Sequence, residues 1–173
     1  DAERLANILK DAARGGTYKR MLLMTLAKEQ PELLIGWLRL EARKDGTLLP
    51  LLAPLADDAV INRLLVSVSF TALETAATVT KHLQRHRAEI PWLEGITGTR
   101  LEQAVRQSVL RWLAEADLNR EDTAETLLQI FCQEATGKSD DTAVGELAAE
   151  LELPESRREH APVKESGTEK YMD

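Results

Sequence analysis

A single cysteine, Cys132, stands among the 173 residues, which excludes a disulfide framework and a cysteine-built zinc site and fits a reducing compartment. Aromatic residues are almost as scarce, at 4% of the chain, so leucine, alanine and valine have to fill the core. No apolar run approaches the roughly 18 residues that a membrane span requires; the densest, Leu48 to Leu55, is interrupted by Pro50 and Pro54. The alternation of apolar and polar residues that marks a strand is missing throughout, and no constant period relates one segment to the next. The opening DAERLANILKDAARGG is charged and of helical spacing, unlike a secretory leader. A chain that opens at Asp1 and closes at Asp173 is expected to be a piece of a longer polypeptide.

What is present is helix, and acid in one place. Residues 1–113 carry 16 basic and 13 acidic side chains, a net +3, whereas residues 114–153 carry 2 and 11, a net −9. The last twenty carry 4 and 5, so nearly all of the formal charge of −7 lies in one forty-residue block. That block would repel a phosphate backbone, which argues against nucleic acid as its partner.

Apolar residues recur at helical spacing from one end of the domain to the other. A first helix is expected from Ala2 to Arg14, closed by a left-handed cap at Gly15-Gly16. Thr17 caps a second, which ends at Gln30 because the residue before Pro31 avoids helical backbone. Pro31 then opens a third helix, where its missing N–H is harmless, and Asp45-Gly46 turns the chain. Leu48 to Leu55 has room only for a short irregular helix. Asp57 and Asp58 cap the next, whose pattern runs on to Ala88 with a kink or break among the serine and β-branched residues at 66–71. Pro91 to Gly98 reads as a loop. Thr99-Arg-Leu-Glu102 matches a capping box and opens the helix with the cleanest stripe, Leu101, Val105, Ser108, Val109, Trp112 and Leu113. Two more helices, Glu121 to Gln133 and Asp140 to Leu151, follow, with their apolar stripes inward and their acids toward solvent. From Pro154 the pattern ends in a polar stretch with two prolines, expected to be a disordered linker.

Chemistry-bearing residues are few, and each has a plain alternative. His82 and His86 are four apart on a helix and share a face, the spacing of a metal pair. Leu83 stands where a zinc-protease motif has glutamate, however, and Lys81, Arg85 and Arg87 crowd the pair; cations gathering at a helix C-terminus explain the cluster without a metal. Ser67, Ser69, Ser108 and Ser139 lack the glycines of a nucleophile elbow, and Cys132 reads as a small buried residue. The acidic pairs 57–58, 121–122 and 140–141 fall where helices begin, which is what capping asks for. Gly15-Gly16 and Gly95 to Gly98 lack the lysine of a phosphate loop. Trp37 and Trp112 read as core residues, and Trp92, after a proline in a loop, as a candidate exposed contact.

Two segments carry a resemblance. PELLIGWLRLEARKDGTLLPLLAPLADDAVINRLL, residues 31–65, and TRLEQAVRQSVLRWLAEADLNREDTAETLLQIF, residues 99–131, resemble the contractile injection system tape measure family. The first is similar to that family's leucine–tryptophan helix, short loop and leucine-rich helix. The second is similar to its helix with an arginine followed along the helix by Trp-Leu, here Arg106 to Leu113, then a polar loop and a Leu-Leu-aromatic helix. The resemblance implies a component of phage-tail-like particles that drive a tube into a target cell, in contact with tube or baseplate proteins, in the bacterial cytoplasm or within the assembled particle.

Together these features lead us to expect an all-α fold, a multi-helix bundle or a solenoid-like array of helix pairs with about seven to eight helices. Residues 1–153 form the helical domain and 154–173 the tail. The expected function is non-enzymatic: assembly through protein contacts, with Trp92, Glu121, Asp122 and Glu125 as contact candidates and neither cofactor nor metal. A homo-oligomer is compatible with this reading. The alternative is a general helical adaptor or chaperone that docks a basic protein on the acidic face, and an enzyme with a site gathered from scattered residues is the third class. An exposed apolar groove between helices would favour the adaptor. A deep pocket holding His82 or His86 with carboxylates would favour the enzyme.

Overall fold

A computed structural model describes residues 2–11, 14–44, 48–115 and 123–152. All regular structure among them is helical. Eight helices have nine or more residues: α1 (Ala2–Lys10), α2 (Gly16–Glu29), α3 (Pro31–Lys44), α5 (Asp58–Val68), α6 (Phe70–His86), α7 (Gly98–Glu115), α8 (Thr123–Thr136) and α9 (Asp141–Glu152). A five-residue helix, α4 (Leu48–Leu52), lies between α3 and α5, and two single 3-10 turns, Arg87–Glu89 and Pro91–Leu93, join α6 to the segment before α7. The Asp45-Gly46 turn and the tail 154–173 lie outside the described residues.

The centre of the bundle is α7, which packs against α3, α4, α5, α6 and α8. A solenoid would restrict each helix pair to its neighbours; here one helix meets five others, and the architecture is a bundle. The sequence accounts for this placement. Leu101, Ala104, Ser108, Val109, Leu110, Trp112, Leu113 and Ala114 are all buried on α7, an apolar arc wide enough to serve several partners. On one side α3 brings Trp37, Leu34 and Leu38, and on the other α8 brings Leu127, Leu128 and Phe131, into one continuous core. Packing there is tight. The void among Leu23, Leu34, Leu38, Leu52, Val60 and Leu110 is about 10 Å³, no more than a single water needs. Outside this centre, α2 rests on α3 and α5, and α9 on α8 and α6.

Helix boundaries follow the caps, and several differ from expectation. The first helix stops at Lys10, not Arg14, and Gly15 is not a left-handed terminator. With φ −71° and ψ 155° it is the extended N-cap of α2, a position that glycine fills nearly as well as a polar cap, and Thr17 is inside the helix. The expected break at 66–71 falls at Ser69, which closes α5 with its N–H on the Leu65 carbonyl and opens α6 by accepting the Ala72 N–H at 3.0 Å. Asp57 caps α5 through Oδ1, which accepts from Val60 N–H at 3.1 Å. The cap of α7 is Thr97, whose Oγ1 accepts from Arg100 N–H at 3.1 Å; Thr99 is already within the helix. Ile96, packed on the core, and buried Leu101 stand at the two positions of a hydrophobic staple around Thr97, and that burial starts the helix two residues early. After α8, Gly137, at φ 76°, supplies a left-handed stop.

Candidate functional site

Acidic residues distinguish α8 and α9 from the rest, so their placement decides what this end of the molecule can do. On α9, Val144, Leu147, Ala148 and Leu151 are buried. At 100° per residue these four cover one arc; exposed Thr142, Glu146, Ala149 and Glu150 lie on the arc away from it, and exposed Asp141 borders it on the first turn. Asp140 caps the helix, Oδ1 accepting from Ala143 N–H at 3.1 Å. No basic residue lies on α9, and Glu150 and Glu152 occupy its last turn, where the helix dipole disfavours negative charge.

The acids of α8 behave differently, against the expectation that they too line the solvent side. Glu134 is turned toward α7, its side chain only 17% exposed, and accepts from Arg111 Nη1 at 2.7 Å. Arg111 Nε also donates to Glu115 Oε2 at 3.1 Å, and Arg100 Nη2 donates to the Glu134 carbonyl at 2.8 Å. Burial alone would lower the Arg111 pKa, but bonds and charge from Glu115 and Glu134 outweigh it and hold the guanidinium above its ordinary value. Glu134 is thereby consumed in fastening α8 to α7, and Glu115 in a pair within α7 itself. Glu125 is half-buried in the first turn of α8, where its charge favours the dipole. Glu121 and Asp122 lie outside the described residues.

Trp92 is half-buried and packed on the core, its ring 5.7 Å from that of Phe131 at 57°. It thus fixes the 3-10 turn Pro91–Leu93 against α8 as well as presenting an edge to solvent. The two histidines separate in role. His82 is buried, 8% exposed, with Nε2 at 3.6 Å from Glu150 Oε1, so it ties α6 to α9. His86 meets Glu89 through Nδ1 at 2.6 Å, and the two rings lie 4.5 Å apart at 38°. Among the described residues no three His, Cys, Asp or Glu side chains converge in a way that could hold a metal. The carboxylate partner of His82 was invisible in the sequence because Glu150 comes from another helix, 68 positions on, whereas Glu89 stands only three positions from His86.

The serines and the cysteine are engaged locally. Ser67 Oγ donates to the Leu64 carbonyl at 2.7 Å, and buried Ser108 donates to the Ala104 carbonyl. Ser139 accepts from Gln133 Nε2 at 2.8 Å. Cys132 is buried, its sulfur facing the Lys138 carbonyl at 3.5 Å. A groove of about 300 Å³ runs between α5, α6 and α7, with Ile61, Leu65 and Val109 on its walls and Lys81, Glu102 and Arg106 among its polar lining. Arg106 reaches Asp58 there at 3.4 Å. Neither histidine lines this groove. No helix among the described residues is long and apolar enough to cross a membrane.

Comparison of the chain with protein-family models, with curated proteins and with solved structures gives no match.

Proposed function

We propose that this chain is a non-enzymatic assembly module that docks a basic protein partner. On its resemblance to the tape measure family, the assembly it serves is a contractile, phage-tail-like injection particle. The observation that carries the docking reading is the outer face of α9. Charge of one sign is exposed there, at Glu146 and, beside it on the first turn, at Asp141, while Glu134 one helix away is spent on internal pairing. A face built only for stability would carry both signs, since interleaved pairs on a helix stabilise it and like charges do not. The open, part-apolar groove between α5, α6 and α7 also supports a binding module, and the serines and cysteine are occupied in local hydrogen bonds.

Reversing charge on this face tests the proposal. Asp141→Lys with Glu146→Lys should leave the helical circular dichroism signal intact, because exposed charges contribute typically under about 1 kcal/mol each. Co-purification with particle components should fall sharply, and the wild-type complex should weaken as salt rises. Undiminished, salt-insensitive co-purification by the reversed protein would overturn the acidic-face reading. Capture of a basic protein unrelated to tube, sheath or baseplate would retain the docking and remove the particle.

A further inference from the structure

The solvent side of α3 is unusual for a helix of this bundle. Leu34, Ile35, Trp37, Leu38 and Glu41 are buried and define its inward arc. Gly36 lies opposite that arc at 100° per residue, exposed, with nothing within 4 Å of where a Cβ would stand. Leu33 and Leu40, 44% and 51% exposed, form a row on one side of Gly36. Glu32 and Arg39, both exposed, form a row on its other side. Each row is separated by seven residues, two turns of helix, so both are centred close to Gly36.

This pattern is self-complementary. When a second α3 is laid antiparallel across the first, the two-fold axis perpendicular to the helices keeps each row on its own side and reverses its order. Leu33 then meets Leu40 of the second copy, and Leu40 meets Leu33. On the other edge Glu32 comes within two residues' rise, about 3 Å, of Arg39 of the second copy, inside the reach of an arginine. At the centre glycine faces glycine, which lets two helix backbones approach closely. A parallel pair, with its two-fold axis along the helices, would instead swap the sides and set Glu32 and Arg39 against the leucine row of the second copy. We propose that this face of α3 is a homodimer interface, in which two copies of the chain pair antiparallel about Gly36. The leucines supply the buried apolar area, and the charged edge selects orientation, since exposed ion pairs add little affinity. One helix face falls short of the ~1,000 Å² typical of stable interfaces, so the dimer forms at high protein concentration or where copies are held together. This inference is independent of the acidic face of α9.

Sedimentation velocity on the 173-residue chain over a concentration series is the test, with circular dichroism confirming that every variant is folded. Wild type should pass from monomer to dimer as concentration rises. Glu32→Arg places like charges at both ends of the charged edge and should raise the midpoint about tenfold or more, which corresponds to about 1.4 kcal/mol. Arg39→Glu should do the same, and an equimolar mixture of the two variants should recover the dimer, because opposite charges then face each other at both ends of that edge. Arg39 Nε also donates to the Leu113 carbonyl at 3.3 Å, so a fold-independent check is kept in Leu33→Asp with Leu40→Asp, which should abolish the dimer. A wild type that stays monomeric at the highest concentration would overturn the proposal. So would a dimer indifferent to Glu32→Arg and to the leucine pair, which would place the contact on another face, or a mixture of well-folded single variants that remains monomeric.

Discussion

Both α7 and α9 bury one apolar face in the same core, yet they treat their charges in opposite ways. Arg106 and Arg111 on α7 find carboxylates on their own helix and on neighbours, Glu102 and Asp58 for one, Glu115 and Glu134 for the other. The charges of α9 are all acidic, and Glu150 meets His82 across to α6. The difference follows from position. A helix surrounded by five others has few directions left for solvent, so its charges must be satisfied by protein. A helix at the edge can leave them to water, and single-signed charge is tolerated there at small cost. On this view α7 organises the bundle and α9 addresses what lies outside it.

Substitutions can sharpen that contrast. The largest effect is expected from Trp112→Ala, which removes a fully buried ring at the hub; loss of about 3–5 kcal/mol should appear in urea unfolding, and Trp92→Ala, half-buried at the margin, should cost clearly less. Equal losses at the two positions would mean that α7 is no more central than the Pro91–Leu93 turn. Next comes Arg111→Met, which keeps the aliphatic stem and leaves Glu134 without its 2.7 Å partner. About 1–2 kcal/mol should be lost at neutral pH. Because the Arg111 pKa is raised above that of the unfolded chain, its contribution is fully present below the unfolded value and fades only in strong alkali; the loss should therefore be constant across any ordinary pH series. The smallest effect concerns the start of the hub helix. Thr97→Ala should cost about 1 kcal/mol, while Thr99→Ala, inside the first turn, should change the urea midpoint by no more than a few tenths. The reverse order would restore the capping box at Thr99.

Much of this arrangement can be read from residue spacing. The stripes of α5, α7, α8 and α9 name their own buried faces, and Asp57, Asp140 and Gly137 mark helix ends because each satisfies backbone groups within three or four residues. The misplaced ends arise where two neighbours compete for the same task. Thr97 and Thr99 can each cap a helix, and the winner was decided by burial of Ile96 and Leu101. Gly15 can end one helix or begin another, and it begins α2 once α1 stops at Lys10. The acidic face was legible only as composition. That Glu134 turns inward depends on Arg111, 23 positions earlier on another helix, and Glu150 reaches His82 across α6 and α9; pairing of this kind is set by tertiary packing, which periodicity does not encode.

Ser69 has one more consequence, and it concerns slack. The same residue is the C-cap of α5 and the N-cap of α6, with its N–H committed backward and its hydroxyl forward. Ser69 alone separates the two helices, so a single pair of backbone dihedrals sets the angle between them. The corner behaves as an elbow of fixed length. A one-residue insertion there would rotate all of α6 by 100° and swing His82 and Leu83 off the faces they now bury, whereas the segment between Pro91 and Gly98, with its own turns, can absorb added length. Spare length lies on the far side of α6, and α5 and α6 are geared directly to one another.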